Sequence, residues 1–297
     1  MSAGLVAQLT TQLIDDAAVF PPGAAPMPQA IADHRGHRRA WYADLVGPLL
    51  IPAARVTEFA AHLDDGALGP PSTDPVQVVL IAGRDTHSPD DGIGLVALSR
   101  ARNALLDDDR VELVGIELAL PEFDDLGALT QGLLSQLGFG VPAAIEVPRT
   151  DGWQRALDVL ADDGAERAKL RTGGPGPSDV PTDAELTSFL AACVERRLPF
   201  KLTAGLHHAI RRTGDDAPEH GFLNVLAAVI SLLGGASASE AQALVAERDP
   251  ARLLEVLDSG SAPAARGLFT SYGSCSISDP LDDLVALGIL HRPLEEA

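Results

Sequence analysis

The sequence contains few cysteines and few basic residues, and these shortages exclude several classes of protein. Its 297 residues include two cysteines, Cys193 and Cys275, too few for a disulfide framework or a four-thiolate zinc site. Lysine and arginine number 22 against 42 aspartates and glutamates, and a formal net charge of −20 disfavours binding to nucleic acid or to anionic membranes. No apolar run is long enough to span a membrane, and Met1 to Thr10 lacks the pattern of a signal peptide. We therefore expect a soluble cytoplasmic protein.

Lysine is the scarcest charged residue. Twenty of the 22 basic residues are arginine, and the only lysines are Lys169 and Lys201. Arginine can replace lysine as a surface cation, but its guanidinium group stays protonated and is a poor nucleophile. A lysine can lose its proton and form a Schiff base with a carbonyl compound. The two lysines are therefore candidates for a role that needs an amine, with retention by chance as the alternative.

Strand-like and helix-like segments alternate along the chain, which is typical of repeated βαβ units around a parallel sheet. We expect an α/β fold, a single-domain (β/α)₈ barrel of the TIM type over residues 1–297 with an N-terminal helix and loop extension over about 1–42. A doubly wound open sheet is the alternative, although no glycine-rich nucleotide-binding motif follows the first predicted strand. The predicted strands are 45–51, 76–82, 111–120, 142–147, 168–172, 200–206, 222–226 and 268–272. The predicted helices are 5–14, 28–41, 53–64, 92–106, 124–137, 151–163, 181–196, 238–258 and 279–288.

Charged residues lie near the ends of four consecutive predicted strands, where barrel enzymes carry their active sites. Glu117 and Glu146 lie on the third and fourth strands, Lys169 and Arg171 share one face of the fifth, and Lys201 lies on the sixth. Charged side chains are rarely buried unless they are paired. The pattern favours a substrate pocket, and the other interpretation is a buried ion-pair network.

The chemistry expected of such a pocket is attack by a lysine amine on a carbonyl carbon. Lys169, Lys201 and Arg171 would lower one another's lysine pKa values by mutual repulsion, and Glu117 and Glu146 would move protons. No organic cofactor is needed, and the expected partner is a small anionic substrate. The side chains expected to bind it are Arg171, Thr172, Thr203, His207, His208, His220, Asn224, Ser274 and Asp16.

The segments around the two lysines resemble class I aldolases of the deoxyribose-phosphate aldolase kind, whose lysine strands read K-T-S-T-G and V-K-A-A-G-G-I-R. The corresponding segments here begin with Lys169-Leu-Arg-Thr-Gly-Gly and with Phe200-Lys-Leu-Thr-Ala-Gly. The resemblance implies that Lys169 forms the Schiff base and that Lys201 lowers its pKa. His207 and His208 replace a turn that helps to hold phosphate in that family, which argues against a phosphorylated substrate. The predicted strand count also puts the lysines on strands five and six, where that family has them one strand later.

The chain as a whole resembles an uncharacterised bacterial (β/α)-barrel family. Its motifs I-D-x-A-x-x-F-P-P, K-x-R-T-G-G, K-x-T-A-G-L-H-H and H-G-F-L-N begin here at Ile14, Lys169, Lys201 and His220. This resemblance implies a barrel with a shared site but names no reaction. We therefore expect a carbon–carbon lyase, similar to an aldolase, that acts through a lysine Schiff base.

Three alternatives remain open. A divalent-metal lyase or isomerase would use His207, His208 and Glu146 as ligands for zinc or manganese. A hydrolase would use Cys275 with His207 or His220. A barrel without catalytic activity would use the same charges to bind an anionic small molecule. The sequence is compatible with a homo-oligomer in each case.

Overall fold

The parallel strands close into a barrel, as the sequence predicts. The computed structural model describes residues 1–63, 74–83, 93–174, 176, 179–213 and 218–293. All strand pairs of the barrel are parallel, in the order β1-β10-β7-β6-β5-β4-β3-β2, so the fold is a (β/α)₈ barrel of the α/β class. Its eight strands, all in the described residues, are β1 (Ile14–Asp16), β2 (Val46–Pro52), β3 (Val76–Ala82), β4 (Val111–Ala119), β5 (Ala143–Glu146), β6 (Arg167–Arg171), β7 (Phe200–Thr203) and β10 (Phe269–Ser274). A separate antiparallel ribbon consists of β8 (Arg212–Thr213) and β9 (Pro218–Glu219).

The helices surround the barrel and bury its outer face. The described residues contain α1 (Ala3–Thr10), α2 (Met27–His37), α3 (Val56–His62), α4 (Leu95–Leu105), α5 (Leu126–Leu134), α6 (Trp153–Asp163), α7 (Asp183–Arg196), α8 (Phe222–Leu233), α9 (Ala238–Val245), α10 (Pro250–Ser259), α11 (Ala262–Leu268) and α12 (Ser278–Ala286). No helix in these residues is both long and apolar enough to cross a membrane. The predicted helix ends at residues 64 and 92 lie outside the described residues.

The structure adds one barrel strand that the sequence did not predict and removes one that it did. Ile14–Asp16 is the first barrel strand and not part of an extension, because its parallel pairing with β2 and β10 closes the barrel. The proposed strand at 222–226 lies in α8, a buried helix that is apolar nearly throughout. Consequently the two lysines lie on the sixth and seventh strands of the barrel and not on the fifth and sixth.

The predicted helix at 238–258 is two helices. Asp249 caps the second by accepting a hydrogen bond from the Ala251 amide, and Pro250 occupies its first position. Proline lacks the amide hydrogen that a continuous helix needs, so the chain breaks there and a new helix starts. The break does not alter the barrel but adds a short helix between α8 and the last strand.

The interior of the barrel is divided into an apolar part and a charged part. Leu50, Val79 and Ile81 from β2 and β3 form a small apolar cluster with Ala17, apart from the larger core between strands and helices. Charged side chains point inward from β1, β4, β5, β6 and β7, whereas β10 contributes the hydroxyl group of Ser271. Successive side chains of a strand point to opposite faces of the sheet. Residues two positions apart, such as Lys169 and Arg171, therefore both face the barrel interior.

Candidate active site

The charged side chains predicted on consecutive strands meet inside the barrel. Lys169 Nζ lies 2.6 Å from Glu117 Oε2 and 3.1 Å from Glu146 Oε2. Lys201 Nζ forms a short ion pair with Glu117 Oε1, so one carboxylate bridges the two lysines. The side chains of both lysines are only 4% exposed. The structure thus brings together all four residues predicted to be catalytic.

Hydrogen bonds and ion pairs join these groups into one chain across the barrel. At one end Arg171 Nε contacts Glu146 Oε1 at 3.1 Å, and Glu146 in turn contacts Lys169. At the other end Lys201 Nζ donates to Asp15 Oδ2 at 2.5 Å, and Ser271 Oγ donates to the same oxygen at 2.8 Å. With every group ionised, three cations balance three carboxylates. We call this the charge chain; its members are Arg171, Glu146, Lys169, Glu117, Lys201 and Asp15.

Strand register explains why these residues meet. Lys169 on β6 is paired with Lys201 on β7 and with Glu146 on β5, so three charged side chains lie side by side in one layer. Glu117 on β4 is paired with Ala144, whose small side chain lets the glutamate extend toward both lysines. This register places the Glu117 carboxylate between the two amines.

Asp15 was not among the residues selected from the sequence, although it completes the charge chain. It lies in the middle of β1 and is buried. Gly47 on β2 lies against the Asp15 carboxylate, and a Cβ at position 47 would collide with Oδ1. The neighbouring Asp16 points away from the chain: its Oδ2 lies 3.0 Å from His34 Nδ1 on α2, and its Oδ1 accepts from the Ala18 amide. The structure therefore places Asp15 in the site, not the predicted Asp16.

The environment of the charge chain shifts the pKa values of its members. Burial by itself would raise the pKa of Glu117, but the charges of Lys169 and Lys201 and their hydrogen bonds lower it to about 2. Burial would lower the pKa of Lys201, yet Asp15 and Glu117 raise it above its ordinary range. Burial raises the pKa of Asp15 despite its contact with Lys201. The expected lowering of the Lys201 pKa by its cationic neighbours is therefore wrong, because carboxylates surround this lysine.

The low pKa of Glu117 predicts a loss of stability in acid. A carboxylate whose pKa falls from 4.5 to about 2 on folding stabilises the fold above pH 4.5, and this contribution is lost as the pH falls through about 2. We expect it to be about 3 kcal/mol, measured by urea unfolding between pH 5 and 2. The raised pKa of Asp15 has the opposite effect, because a carboxyl group that binds its proton more tightly in the folded state favours folding as the pH falls.

Glu117→Gln should therefore show a shallower decline with acidity than the wild type. Glu58→Gln is the matched control, because Glu58 is exposed: its bond to Arg55 lowers its pKa, but solvent screens the pair and leaves it little effect on stability. Its profile should follow that of the wild type. Parallel profiles for the wild type and Glu117→Gln would contradict the assigned ionisation of Glu117.

Arg171 and Thr203 connect the charge chain to the C-terminal end of the barrel. They are paired in register at the ends of β6 and β7, and the Arg171 side chain is 31% exposed. Thr172 follows and is buried; its hydroxyl donates to the carbonyl oxygens of Thr203 and Ala204. Thr172 therefore joins the two strand ends, whereas Arg171 is the member of the chain most accessible to solvent.

The glycines of the two lysine motifs allow these strand ends to approach closely. A Cβ on Gly173 would lie 2.6 Å from Gly205 Cα, and Gly205 has a φ of +72°. Its predecessor Ala204 also has a positive φ, 62°, which is rare without glycine. The two segments that follow the lysines are thus held together by backbone contact.

His207 and His208 point in different directions. His207 Nδ1 lies 3.8 Å from Cys275 Sγ, whereas His208 Nδ1 lies 3.0 Å from Asp283 Oδ2 on α12. Burial raises the pKa of the Cys275 thiol and lowers that of His207, and both shifts disfavour the thiolate–imidazolium pair of a cysteine hydrolase. His208 therefore anchors its loop to α12.

Local hydrogen bonds occupy the side chains of three further residues that were predicted to bind substrate, His220, Asn224 and Ser274. His220 Nε2 lies 2.8 Å from the Pro181 carbonyl oxygen, and its Nδ1 lies 3.1 Å from the Arg211 guanidinium. Asn224 is fully buried; it accepts from the Arg211 amide and donates to two carbonyls before α10. Ser274 donates to the Ser276 carbonyl at 2.6 Å. The structure does not bring these three residues to the charge chain.

The residues named for a metal site are not gathered around one point. Glu146 contacts Lys169 and Arg171, and the two histidines contact Cys275 and Asp283. The described residues contain no group of three or more histidine, cysteine, aspartate or glutamate side chains that could hold a metal ion. The geometry therefore does not favour the metal-dependent alternative.

Comparison with known proteins adds no family assignment. The sequence matches no model of a known protein family, and no curated protein is significantly similar to it. The class of the protein is given by the fold, a (β/α)₈ barrel of a kind common among enzymes, with a buried set of ionisable groups in its interior.

Proposed function

We propose that the protein is an aldolase-like lyase in which Lys169 forms a Schiff base with a small carbonyl substrate. One observation carries the proposal: the only two lysines of the chain lie inside the barrel on adjacent strands and contact the same carboxylate. A buried network that served stability alone would not need amines, because arginine forms the same ion pairs. In a chain with twenty arginines, the use of lysine at these two positions favours chemistry that requires a nitrogen nucleophile.

Lys169 is the better nucleophile candidate of the two. Lys201 is held between Asp15 and Glu117, which keep it protonated. Lys169 contacts Glu117 and Glu146, and Glu146 is shared with the partly exposed Arg171. A substrate that enters at the C-terminal end meets Arg171 first and Lys169 next. The corrected strand count also puts the lysines on strands six and seven, which is the placement that the resemblance to class I aldolases implies.

The proposed chemistry uses the two glutamates as proton carriers. A glutamate takes a proton from the Lys169 ammonium group, and the resulting neutral amine attacks the carbonyl carbon to form a C–N bond. The same carboxyl group passes that proton to the oxygen, then carries a second proton there from the attacking nitrogen, so that the oxygen leaves as water and a protonated imine remains. In the cleavage direction a glutamate removes the proton of the substrate hydroxyl, and the C–C electron pair moves to the iminium group. Protonation of the resulting enamine and hydrolysis then restore the amine. Lys201 stays charged throughout, and Arg171 is placed to bind a substrate carboxylate.

Borohydride trapping tests this proposal. The purified protein is incubated with a panel of aldehydes and keto acids, reduced with borohydride, and analysed by intact-mass spectrometry beside Lys169→Arg and Lys201→Arg. An imine adds the mass of the carbonyl compound less one oxygen atom after reduction. We expect this adduct in the wild type and in Lys201→Arg, and we expect Lys169→Arg to lack it. Chelator should not change the result.

The outcome separates the alternatives. An adduct of equal yield in the wild type and both variants would mean that another amine reacts, and the proposal would fail. The absence of an adduct with every carbonyl compound, with binding of anionic small molecules retained, would favour a barrel without catalytic activity. Circular dichroism of each variant shows that a lost adduct does not result from a lost fold.

A further inference from the structure

A cavity of about 310 Å³ lies at the end of the barrel opposite Arg171. It is lined by residues from the beginnings of strands, including Gln77 of β3, Arg167 of β6 and Thr270 of β10. Its inner wall contains Asp15, Glu117 and Lys201. The volume is within the range of small-molecule sites, although enzyme barrels carry their active sites at the other end.

Two arginines that line this cavity form no salt bridge with any carboxylate among the described residues. The Arg167 side chain forms no hydrogen bond or salt bridge with any residue that the structure describes. Its neighbour Glu166 accepts a hydrogen bond from the Ala143 amide, and burial raises the pKa of Glu166 although the charge of Arg167 acts in the other direction. Arg266 donates to three backbone carbonyls, among them those of Thr270 at 2.7 Å and Thr11 at 2.8 Å. Carbonyl oxygens satisfy hydrogen-bond donors but supply no net negative charge.

The charge of Arg266 is costly in its position. Burial lowers the pKa of this guanidinium group to about 10, although the charge of Asp15 acts in the other direction. The group is still a cation at neutral pH. Arg266 is only partly buried, and an anion that enters the cavity would supply the counter-ion that its backbone partners do not.

The other charges around the cavity do not neutralise the arginines. Asp15 and Glu117 are both engaged by Lys201, and Glu117 also by Lys169. The residues that line the cavity therefore include three cations, Arg167, Arg266 and Lys201, against two carboxylates that Lys201 already engages, and Glu166 lies just outside this lining. This excess of positive charge occurs in a chain whose formal net charge is −20.

We propose that the cavity at the N-terminal end of the barrel binds a small oxyanion, the carboxylate or phosphate group of a compact metabolite, through Arg167 and Arg266. Guanidinium groups bind both kinds of oxyanion through paired charge-assisted hydrogen bonds. The ligand would lie beside Lys201 and so contact the charge chain from the side opposite the proposed substrate. Bound anion and Lys169 would be connected through Lys201 and Glu117. The site does not depend on the Schiff-base proposal.

Isothermal titration calorimetry without any carbonyl compound tests the site. Inorganic phosphate and succinate are titrated in separate arms, with sodium chloride at equal ionic strength as the reference. We expect saturable binding of at least one of them to the wild type and to Lys169→Arg. Arg167→Gln and Arg266→Gln should each bind at least about tenfold more weakly, because each loses a charge-assisted contact. The titrant that binds shows whether the site takes a phosphate group or a carboxylate group.

Two control variants make the result specific. Arg38→Gln removes a guanidinium group that likewise donates to two carbonyls, those of Ala43 and Val46, but does not line the cavity. Arg38→Gln should therefore bind like the wild type. Arg171→Gln removes the arginine at the other end of the barrel and shows whether the titrated anion binds there instead. Arg167→Gln removes no bond among the described residues, so it remains informative even if Arg266→Gln fails to fold.

Three results would overturn the proposal. The first is the absence of saturable binding of phosphate and of succinate beyond the chloride reference. The second is full affinity in Arg167→Gln. The third is a loss of affinity confined to Arg171→Gln, which would place the anion at the C-terminal end of the barrel.

Discussion

Replacing Glu117 with glutamine should lower the free energy of unfolding by about 3–5 kcal/mol at neutral pH. Glutamine keeps the size of the side chain but removes the negative charge between two buried lysines, which are 2.6 Å or less from its oxygens. Lys169 would keep Glu146 and Lys201 would keep Asp15, yet the two amines would then face each other without the bridging carboxylate. Urea unfolding at pH 7, followed by circular dichroism, measures the change.

A double-mutant cycle provides the control for this prediction. Lys201→Met alone leaves Glu117 and Asp15 with one cation fewer, and it should also destabilise the protein. The double variant Glu117→Gln/Lys201→Met should lose less stability than the sum of the two single changes, because it removes both members of one pair. Additive losses, or a loss below about 1 kcal/mol in Glu117→Gln, would mean that the bridging contact is not energetically important.

Lys201→Met should slow formation of the trapped adduct on the order of 100-fold. The attacking amine must be neutral, and a fixed cation nearby favours release of its proton. At an effective dielectric constant of about 20, one unit charge a few ångströms away changes this balance by a few kcal/mol. Without Lys201, three carboxylates share two cations, so the protonated form of Lys169 is favoured.

Lys201→Arg is the matched variant, because it retains the positive charge while removing the second amine. It should form adduct much faster than Lys201→Met, and the measurement is the rate of adduct formation by quenched-flow reduction and mass spectrometry. A variant that retains the wild-type rate with methionine at position 201 would show that the charge of Lys201 is not needed. Slow rates with methionine and arginine alike would assign the effect of Lys201 to its shape or its amine.

The sequence predicts most of the barrel, because buried parallel strands appear as short apolar runs separated by amphipathic helices. It does not predict β1, which has three residues and two of them aspartate, so no apolar run marks it. The apolar segment from Phe222 to Leu233 gives the opposite error, because the sequence predicts a barrel strand where the structure has a helix. A helix buried on nearly all sides is apolar throughout and gives no period that separates it from a strand.

The charged layer could be predicted because it depends on a local rule. Alternation along each strand places Lys169 and Arg171 on one face, and it places Lys201 inside the same barrel. The choice between Asp15 and Asp16 depends on the strand that the sequence did not reveal, since a shift by one residue reverses the face. The partners of His208, His220 and Asn224 lie on other helices and loops, and their contacts are set by tertiary packing.

The pKa of Lys201 also required the structure. Two lysines near an arginine predict repulsion and lowered lysine pKa values, but the sign depends on how many carboxylates lie between them. Glu117 stands between the two amines and Asp15 contacts Lys201 on its other side. Sequence spacing locates charged residues on a strand, whereas the charge balance around each of them depends on neighbouring strands.

The most direct test of the account is the position of the trapped adduct in the wild-type protein. Cleavage after arginine separates the two lysines, because Lys169 falls in residues 168–171 and Lys201 in residues 198–211. After incubation with a reactive carbonyl compound and borohydride, peptide mass spectrometry locates the added mass. We expect it on residues 168–171. An adduct on residues 198–211, on the N-terminal peptide, or on no peptide would contradict the assignment of Lys169 as the Schiff-base lysine.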